Sequence, residues 1–339
     1  MLKHYYICGG HFALKKIMKF IAPLLITAAV VSGCNSGNTS DASKNNNSGS
    51  KPAASTNTST TDTGYTPEKT LTVQFVPSQN ADTLEAKAKP LEKLLSDELG
   101  IPVSVSVSTD YNTIIEAMAS KKVDVGFLPP TAYVLAKEKG AADVILQAQR
   151  YGVDDTTGAP TTDLVDFYKS MIIVKKDSPI KTVEDLKGKK IAYQNVTSSA
   201  GFVWPAAKLI DAGIDPLKDI QALTVKGHDQ GVIAVLNGDV DAAAIFQDAR
   251  NVVKKDYPTV FEDTRVLAFT EPIPNDTVSV RSDMNADWKT KIQEAFINIG
   301  KNEEGHKIIK EIYSHEGYVK SDDKVFDIVR EYGKKVKTE

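Results

Sequence analysis

The chain has 339 residues, 41% of them apolar, and a net charge of −3 with both signs mixed along its length. That supports a sizeable core and more than one ordinary domain, and the lack of a basic stripe argues against nucleic acid as a partner. The two cysteines, Cys8 and Cys34, lie in the first tenth of the chain, which removes disulfides, thiolate metal sites and cysteine nucleophiles from the body.

Lys15, Lys16 and Lys19 precede an apolar run from Phe20 to Val31. About twelve residues are too few to span a bilayer comfortably, but they suit the core of a signal peptide. The run ends in Val31-Ser32-Gly33-Cys34, which resembles the bacterial lipobox, whose cysteine becomes the lipidated first residue of the mature protein. An ordinary signal peptide with a stray cysteine is the other reading. Residues 1–33 are expected to be the signal peptide, with Met18 as the expected start. Acyl chains on Cys34 would hold the protein at a membrane without spanning it. Residues 34–66 are mainly Ser, Thr, Asn and Gly, a tether with almost nothing to bury and a reach of about 30 Å.

In the body, "TLTVQFVP" predicts a strand. "ADTLEAKAKPLEKLLSDELG" predicts a helix broken or kinked at Pro90 and ended by Gly100. "PVSVSVS" is a strand, "DYNTIIEAMASKK" a helix capped by Asp110, "VDVGFLP" a strand, and "PTAYVLAKEKG" a helix with Pro130 in its first turn. The alternation then restarts with the strand "YKSMIIVKKDS" and the short helix "TVEDLKG". "KKIAYQN" is a strand, and "VTSSAGFVWPAAKLI" opens a helix. "IQALTVKG" and "VDAAAIFQ" are strands flanking the helix "DQGVIAVLNGD". "DARNVVKKD" is a helix, "TRVLAFTEP" a strand, and "NDTVSVR" precedes two or three final helices. Such alternation implies mostly parallel sheets. "IIEAMASKKVDVGFLPPTAYVLAKE" lines up with "VIAVLNGDVDAAAIFQDARNVVKKD", a weak duplication that suggests two similar α/β lobes. Ligands of open α/β sheets sit beyond the carboxyl ends of the strands, so two facing lobes make a cleft.

The strand-to-helix junctions supply the candidate site. They carry Ser78-Gln79-Asn80, Thr131-Ala132-Tyr133, Thr197-Ser198-Ser199, His228-Asp229 and Asp248, and Asp276 lies where the chain returns between lobes. Helix N-termini carry unpaired N–H groups and partial positive charge, and the hydroxyls of Thr197, Ser198 and Ser199 add neutral donors suited to a tetrahedral oxyanion. Taken alone the triplet also reads as a helix cap with two solvated hydroxyls. Gly201 allows a tight turn and close approach of a ligand. His228 and Tyr133 could donate to the same anion, or serve as a cap residue and a packing residue. Asp248 and Asp276 repel anions, so they fit either a ligand with a cationic or hydroxyl end or plain capping and turn roles. The His residues form no HExxH or HxH spacing, so neither a metal nor another cofactor is expected.

"VDVGFLPPTAYVLA", "VTSSAGFVWPAAKLIDAGIDP", "GHDQGVIAVLNGDVDAAAIFQD" and "IPNDTVSVR" together resemble the phosphate/phosphite/phosphonate-binding proteins of ABC importers, from about Leu71 to near Tyr318. The resemblance implies a two-lobed, type II periplasmic-binding-protein fold with its ligand between the lobes. Lobe 1 would be 67–167 plus 274–339, and lobe 2 would be 168–273. It implies that Thr197, Ser198, Ser199, Tyr133 and His228 hold the oxyanion and that Asp248 and Asp276 meet its substituent, with Asn80 at the first-strand turn. The family's glutamate is replaced by the shorter Asp248, and the first-strand turn lacks an aromatic residue, so the substituent pocket differs. The expected protein is a monomeric, lipid-anchored, non-enzymatic receptor that hands a phosphorus oxyanion to an ABC permease and its ATPase. The alternatives are a sulfonate, sulfate or thiamine-precursor receptor, or an enzyme on the same fold.

Overall fold

The computed structural model describes residues 64–155 and 158–337. The expected signal peptide, Cys34 and the tether up to residue 63 lie outside these. Tyr65 and Thr66, the last residues of the expected tether, are bonded to the body. Tyr65 donates its backbone N–H to Asp283 at 2.7 Å and accepts from Asn285 at 3.0 Å. The Arg281 guanidinium lies 3.6 Å from its ring centroid. This cation–π contact gives Tyr65 a partner that its hydroxyl-rich surroundings in sequence conceal.

The first half of the body supplies β1 (Leu71–Phe75), β2 (Val103–Val107), β3 (Val125–Leu128), β4 (Ala142–Val153) and β5 (Pro160–Val165). A short β6 (Phe167–Tyr168) leads to β7 (Ser170–Lys175), β8 (Lys190–Tyr193), β9 (Gln221–Thr224), β10 (Ala242–Phe246) and β11 (Thr264–Phe269). A short β12 (Ile273–Pro274) leads back to β13 (Thr277–Arg281) and β14 (Gly317–Lys320). The first sheet runs β14-β4-β13-β3-β1-β2, with β5 paired to β4, and the second runs β11-β7-β10-β8-β9. β6 and β12 pair antiparallel, with Tyr168 opposite Ile273, so the two crossings between sheets form one ribbon.

Both sheets are mixed, which corrects the mostly parallel expectation. β1 runs parallel to β2 and β3, and β8 runs parallel to β9 and β10. The strands that enter by crossing between sheets run the other way. β13 is antiparallel to β3 and β4, and β7 is antiparallel to β10 and β11. A strand that does not arrive through a βαβ crossover is free of the parallel constraint.

The helices are α1 (Ala81–Ala88), α2 (Leu91–Leu99), α3 (Tyr111–Ala119), α4 (Pro130–Glu138), α5 (Trp204–Asp211), α6 (His228–Asn237), α7 (Arg250–Val253), α8 (Val260–Asp263), α9 (Ala286–Lys301), α10 (Glu303–Tyr313) and α11 (Asp327–Val336). Pro90 separates α1 from α2, as its missing N–H requires. Asp110 caps α3, accepting from the N–H groups of Asn112 and Thr113 at 2.8 and 2.9 Å. The helix expected over "DARNVVKKD" is reduced to the single turn of α7.

The duplicated segments occupy matching places. β3 lies between β1 and β13, and β10 lies between β8 and β7. The aspartate ahead of each strand does the same work: Asp124 Oδ2 accepts from Thr72 N–H and Asp241 Oδ2 from Lys190 N–H, both at 2.8 Å. Phe75 and Phe127 stack at 4.1 Å in the first core. α11 packs on both halves, because Phe326 just before it meets Tyr133 at 4.9 Å and its Tyr332 stacks on Trp204 at 4.3 Å.

Candidate functional site

A cavity of about 430 Å³ lies between the sheets and is bordered by residues that follow β1, β8 and β10 and precede β13. This is the place at which open α/β sheets put their ligands. The two halves touch around it. Ser78 O accepts from His228 N–H at 3.0 Å, the Tyr111 hydroxyl donates to Gln194 Oε1 at 3.2 Å, and Ser199 Oγ accepts from Thr131 N–H at 2.9 Å.

The hydroxyl triplet divides its labour. Ser198 borders the cavity; its Oγ donates to Gln194 Oε1 and accepts from Gly201 N–H, both at 3.0 Å. It is therefore a cap as well as a cavity residue, heading a π-helical turn at Ser199–Val203, a rare geometry frequent at functional sites. As first residues of a helix, Ser199 and Ala200 have N–H groups without an acceptor inside that helix, and Ala200 also borders the cavity. Ser199 Oγ is turned toward Thr131, and Thr197 donates to Asn195 Oδ1 at 2.9 Å. Neither of these two borders the cavity. Gly201 serves packing rather than ligand approach, since a Cβ there would stand 2.6 Å from Gln194 Cβ.

His228 opens α6 and borders the cavity. Its Nδ1 accepts from Phe246 N–H at 3.1 Å, so the proton of the neutral ring sits on Nε2. Burial lowers the imidazole from 6.5 to about 3, which keeps it a neutral donor. Tyr111 also borders the cavity, and burial pushes its hydroxyl well above the usual range, so it stays protonated. Burial does the same for the bordering Tyr168. Uncharged donors suit a buried anion, because they replace hydration without bringing in a counter-charge that would itself need solvating.

Both acids border the cavity. The Asp276 carboxylate lies beside His315, whose Nε2 is 3.7 Å from Oδ2. Asp248 is held at φ 68°, in the left-handed region. Burial pushes its carboxyl up to about 7, against the pull of Arg250 and Arg150. Arg150 borders the cavity too, with Nη2 donating to Tyr313 O at 2.9 Å and the guanidinium 5.1 Å from the Tyr168 centroid.

Two further expected positions fall elsewhere. The Tyr133 hydroxyl donates to Asp323 Oδ1 at 2.7 Å and does not border the cavity, because its place within α4 turns it toward the segment before α11. Asn80 is exposed and caps α1, accepting from Thr83 N–H at 3.0 Å. Sequence reasoning missed Tyr111, Arg150 and Tyr168. Tyr111 was findable by the rule used for the others, since it follows the capping Asp110 at a strand-to-helix junction. Among the described residues no cluster of three or more His, Cys, Asp or Glu is placed to hold a metal. No helix among them is long and apolar enough to cross a membrane.

Residues 73–326 match the family described as "ABC transporter, phosphonate, periplasmic substrate-binding protein". The phosphate-import protein PhnD of Mycolicibacterium smegmatis is 33% identical over 196 residues, covering 56% of this chain and 58% of that protein. The phosphonates-binding periplasmic protein of Escherichia coli is 26% identical over 249 residues, covering 72% of this chain and 70% of that protein. Among solved structures, PhnD1 of Prochlorococcus marinus in complex with methylphosphonate superposes with a TM-score of 0.69 at 18% identity, covering 80% of this chain and 99% of that one. The binding component of an ABC phosphonate transporter from Pseudomonas aeruginosa gives 0.68 at 22% identity, covering 78% of this chain and 86% of that one. The architecture is the two-lobed α/β fold of type II periplasmic binding proteins, and the chain belongs to the family of periplasmic substrate-binding proteins of ABC phosphonate transporters.

Proposed function

We propose that this chain is the receptor of an ABC importer, held at the outer face of the cell membrane by lipid on Cys34. It captures a small phosphorus oxyanion (a phosphonate, phosphite or phosphate) and delivers it as a monomer to a permease and its ATPase. Lobe 1 is 67–167 plus 274–339 and lobe 2 is 168–273. The observation that carries this reading is the uncharged cavity wall: His228, whose Nε2 proton is fixed by the bond from Phe246 N–H, beside the Ser198 and Tyr111 hydroxyls, which would turn their hydrogens from Gln194 Oε1 to an anion.

The mechanism is capture and closure, with no bond made or broken. One lobe meets the anion, and the second swings in on the β6–β12 ribbon and exchanges its hydration for preorganised hydrogen bonds. The Ser78–His228 and Thr131–Ser199 contacts described above are the kind that closure would make. Asp248 and Asp276 then face whatever hangs from the phosphorus.

The test is ligand-dependent melting. Methylphosphonate, 2-aminoethylphosphonate, phosphite, phosphate, sulfate and an alkanesulfonate are each added well above micromolar levels. A bound ligand at about one hundred times its Kd adds roughly 2.7 kcal/mol, so at least one phosphorus compound raises the melting temperature and the sulfur compounds do not. A rise with the sulfonate alone would move the assignment to sulfonates. For the anchor, Cys34→Ala releases the protein from the membrane fraction if the lipobox reading holds, and retention of the variant there contradicts it.

A further inference from the structure

Among the described residues, Ser78, Arg150 and Asp248 border the cavity and each carries a buried side-chain atom with no hydrogen-bond partner: Ser78 Oγ, Arg150 Nε and Asp248 Oδ1. A buried polar atom left unpaired is costly, so these atoms are open to water or to a ligand that enters. Ser78 follows β1, next to the Ser78–His228 contact at the donor-rich wall. On the proposed reading Asp248 faces the substituent, and Arg150 borders the same cavity. They are opposite in kind, one a cationic donor and the other an anionic acceptor.

Both are held in place. The Arg150 guanidinium is fixed by Tyr313 O at 2.9 Å and by the Tyr168 ring. Asp248 is fixed by its left-handed backbone. Gly158, in the β4–β5 connection, leaves room beside it, since a Cβ there would stand 3.1 Å from Asp248 Oδ1.

The charges on the cavity wall are mixed. Arg150, Lys87 and Lys310 border it with Asp248, Asp276, Glu311 and Glu316, and Lys310 pairs with Glu316 at 2.7 Å. An ammonium group entering here meets the Arg150 guanidinium as well as Asp248 and Asp276, so the negative charge that would select a simple amine is partly offset.

On the reading that the site holds a phosphorus oxyanion, we propose that its far wall takes a substituent of no net charge that offers an acceptor to Arg150 and a donor to Asp248. The fitting classes are hydroxyalkylphosphonates and phosphonates ending in a zwitterionic amino-acid group. Simple alkyl and aminoalkyl phosphonates fill only part of the set.

The experiment is calorimetric titration of the wild-type protein and Arg150→Met, at about pH 8 so that free carboxyl groups are ionised. Methylphosphonate offers neither group, 2-aminoethylphosphonate a donor only, and phosphonoacetate an acceptor only. 2-Hydroxyethylphosphonate and 2-amino-3-phosphonopropionate offer both. At least one of the last two is expected to bind about tenfold or more tightly than methylphosphonate and 2-aminoethylphosphonate, the effect of one hydrogen bond to a charged group. Their relative order separates the neutral class from the zwitterionic one. Arg150→Met is expected to bring that ratio down to about threefold or less, and Arg150→Lys, which keeps the charge but not Nε, also to lower it. The proposal is overturned if 2-aminoethylphosphonate binds as tightly as both, or if Arg150→Met leaves the ratio intact. Should the variants fail to fold, the wild-type ranking alone decides. Failure of the underlying reading looks different: no phosphorus ligand binds at all.

Discussion

Ser198 Oγ caps the π-helical turn and borders the cavity with the same atom. Ser198→Ala is therefore expected to lose about 1 kcal/mol of stability and about tenfold in phosphonate affinity, read by urea denaturation and calorimetry. Tyr133→Phe is expected to cost about 1 kcal/mol through the lost bond to Asp323 and to leave affinity unchanged, and a loss of affinity there would restore Tyr133 to the site. The pH dependence has two opposed contributions. Burial raises the Asp248 carboxyl from 3.8 to about 7, so the folded state holds that proton more tightly, and its stabilising contribution fades as pH rises through this window. Burial lowers His228 from 6.5 to about 3, so its contribution fades as pH falls from 6.5 toward 3. Asp248→Asn is thus expected to be more stable than wild type above pH 7 and to show a smaller fall in stability between pH 5 and 7, in denaturation series across pH. A variant that parallels wild type throughout contradicts the assignment. Ser198, His228, Asp248 and Asp276 were legible as cavity residues because each sits beside a strand end at the cleft. Which of three adjacent hydroxyls turns inward was not legible, because that depends on the π-helical turn and on Asn195 and Thr131 as competing partners.

Gln194 organises the wall between the lobes. Its Oε1 accepts from Tyr111 and Ser198, and its Nε2 donates to Lys226 O at 3.1 Å. Gly201 is what lets it sit there. Gly201→Ala is therefore expected to displace Gln194, cost roughly 1–3 kcal/mol and weaken ligand binding through Tyr111 and Ser198. A variant with wild-type stability and affinity would show that the close approach relaxes freely. The parallel strands and their helices were legible from local alternation and capping residues such as Asp110 and Pro130. β14 was not, because its partner is distant, and the β4–β5 hairpin was not, because β5 has no pattern to read. Lys320 pairs with Leu146 across about half of the chain, and the exposed β5 has no apolar face to give it a pattern.

At the scale of the whole molecule, the crossings at β6 and β12 and the doubly packed α11 explain how two sheets of similar order belong to one body. The duplication was legible in the V-D-[VA] segments, where Asp124 and Asp241 each tie a strand to its parallel neighbour. The antiparallel entry of β7 and β13 was not, since nothing local encodes a strand's direction. On the proposed mechanism, small-angle scattering shows the protein more extended without ligand and more compact with a saturating phosphonate, and an unchanged radius of gyration argues against closure. The central claim is the location of the anion, and a crystal structure with methylphosphonate tests it most directly. The account predicts the phosphonate oxygens within hydrogen-bond distance of Ser198 Oγ, His228 Nε2 and the Tyr111 hydroxyl, with the methyl group toward Asp248 and Asp276. A phosphonate seated away from His228 and Ser198, or one whose oxygens face the two aspartates, would contradict it.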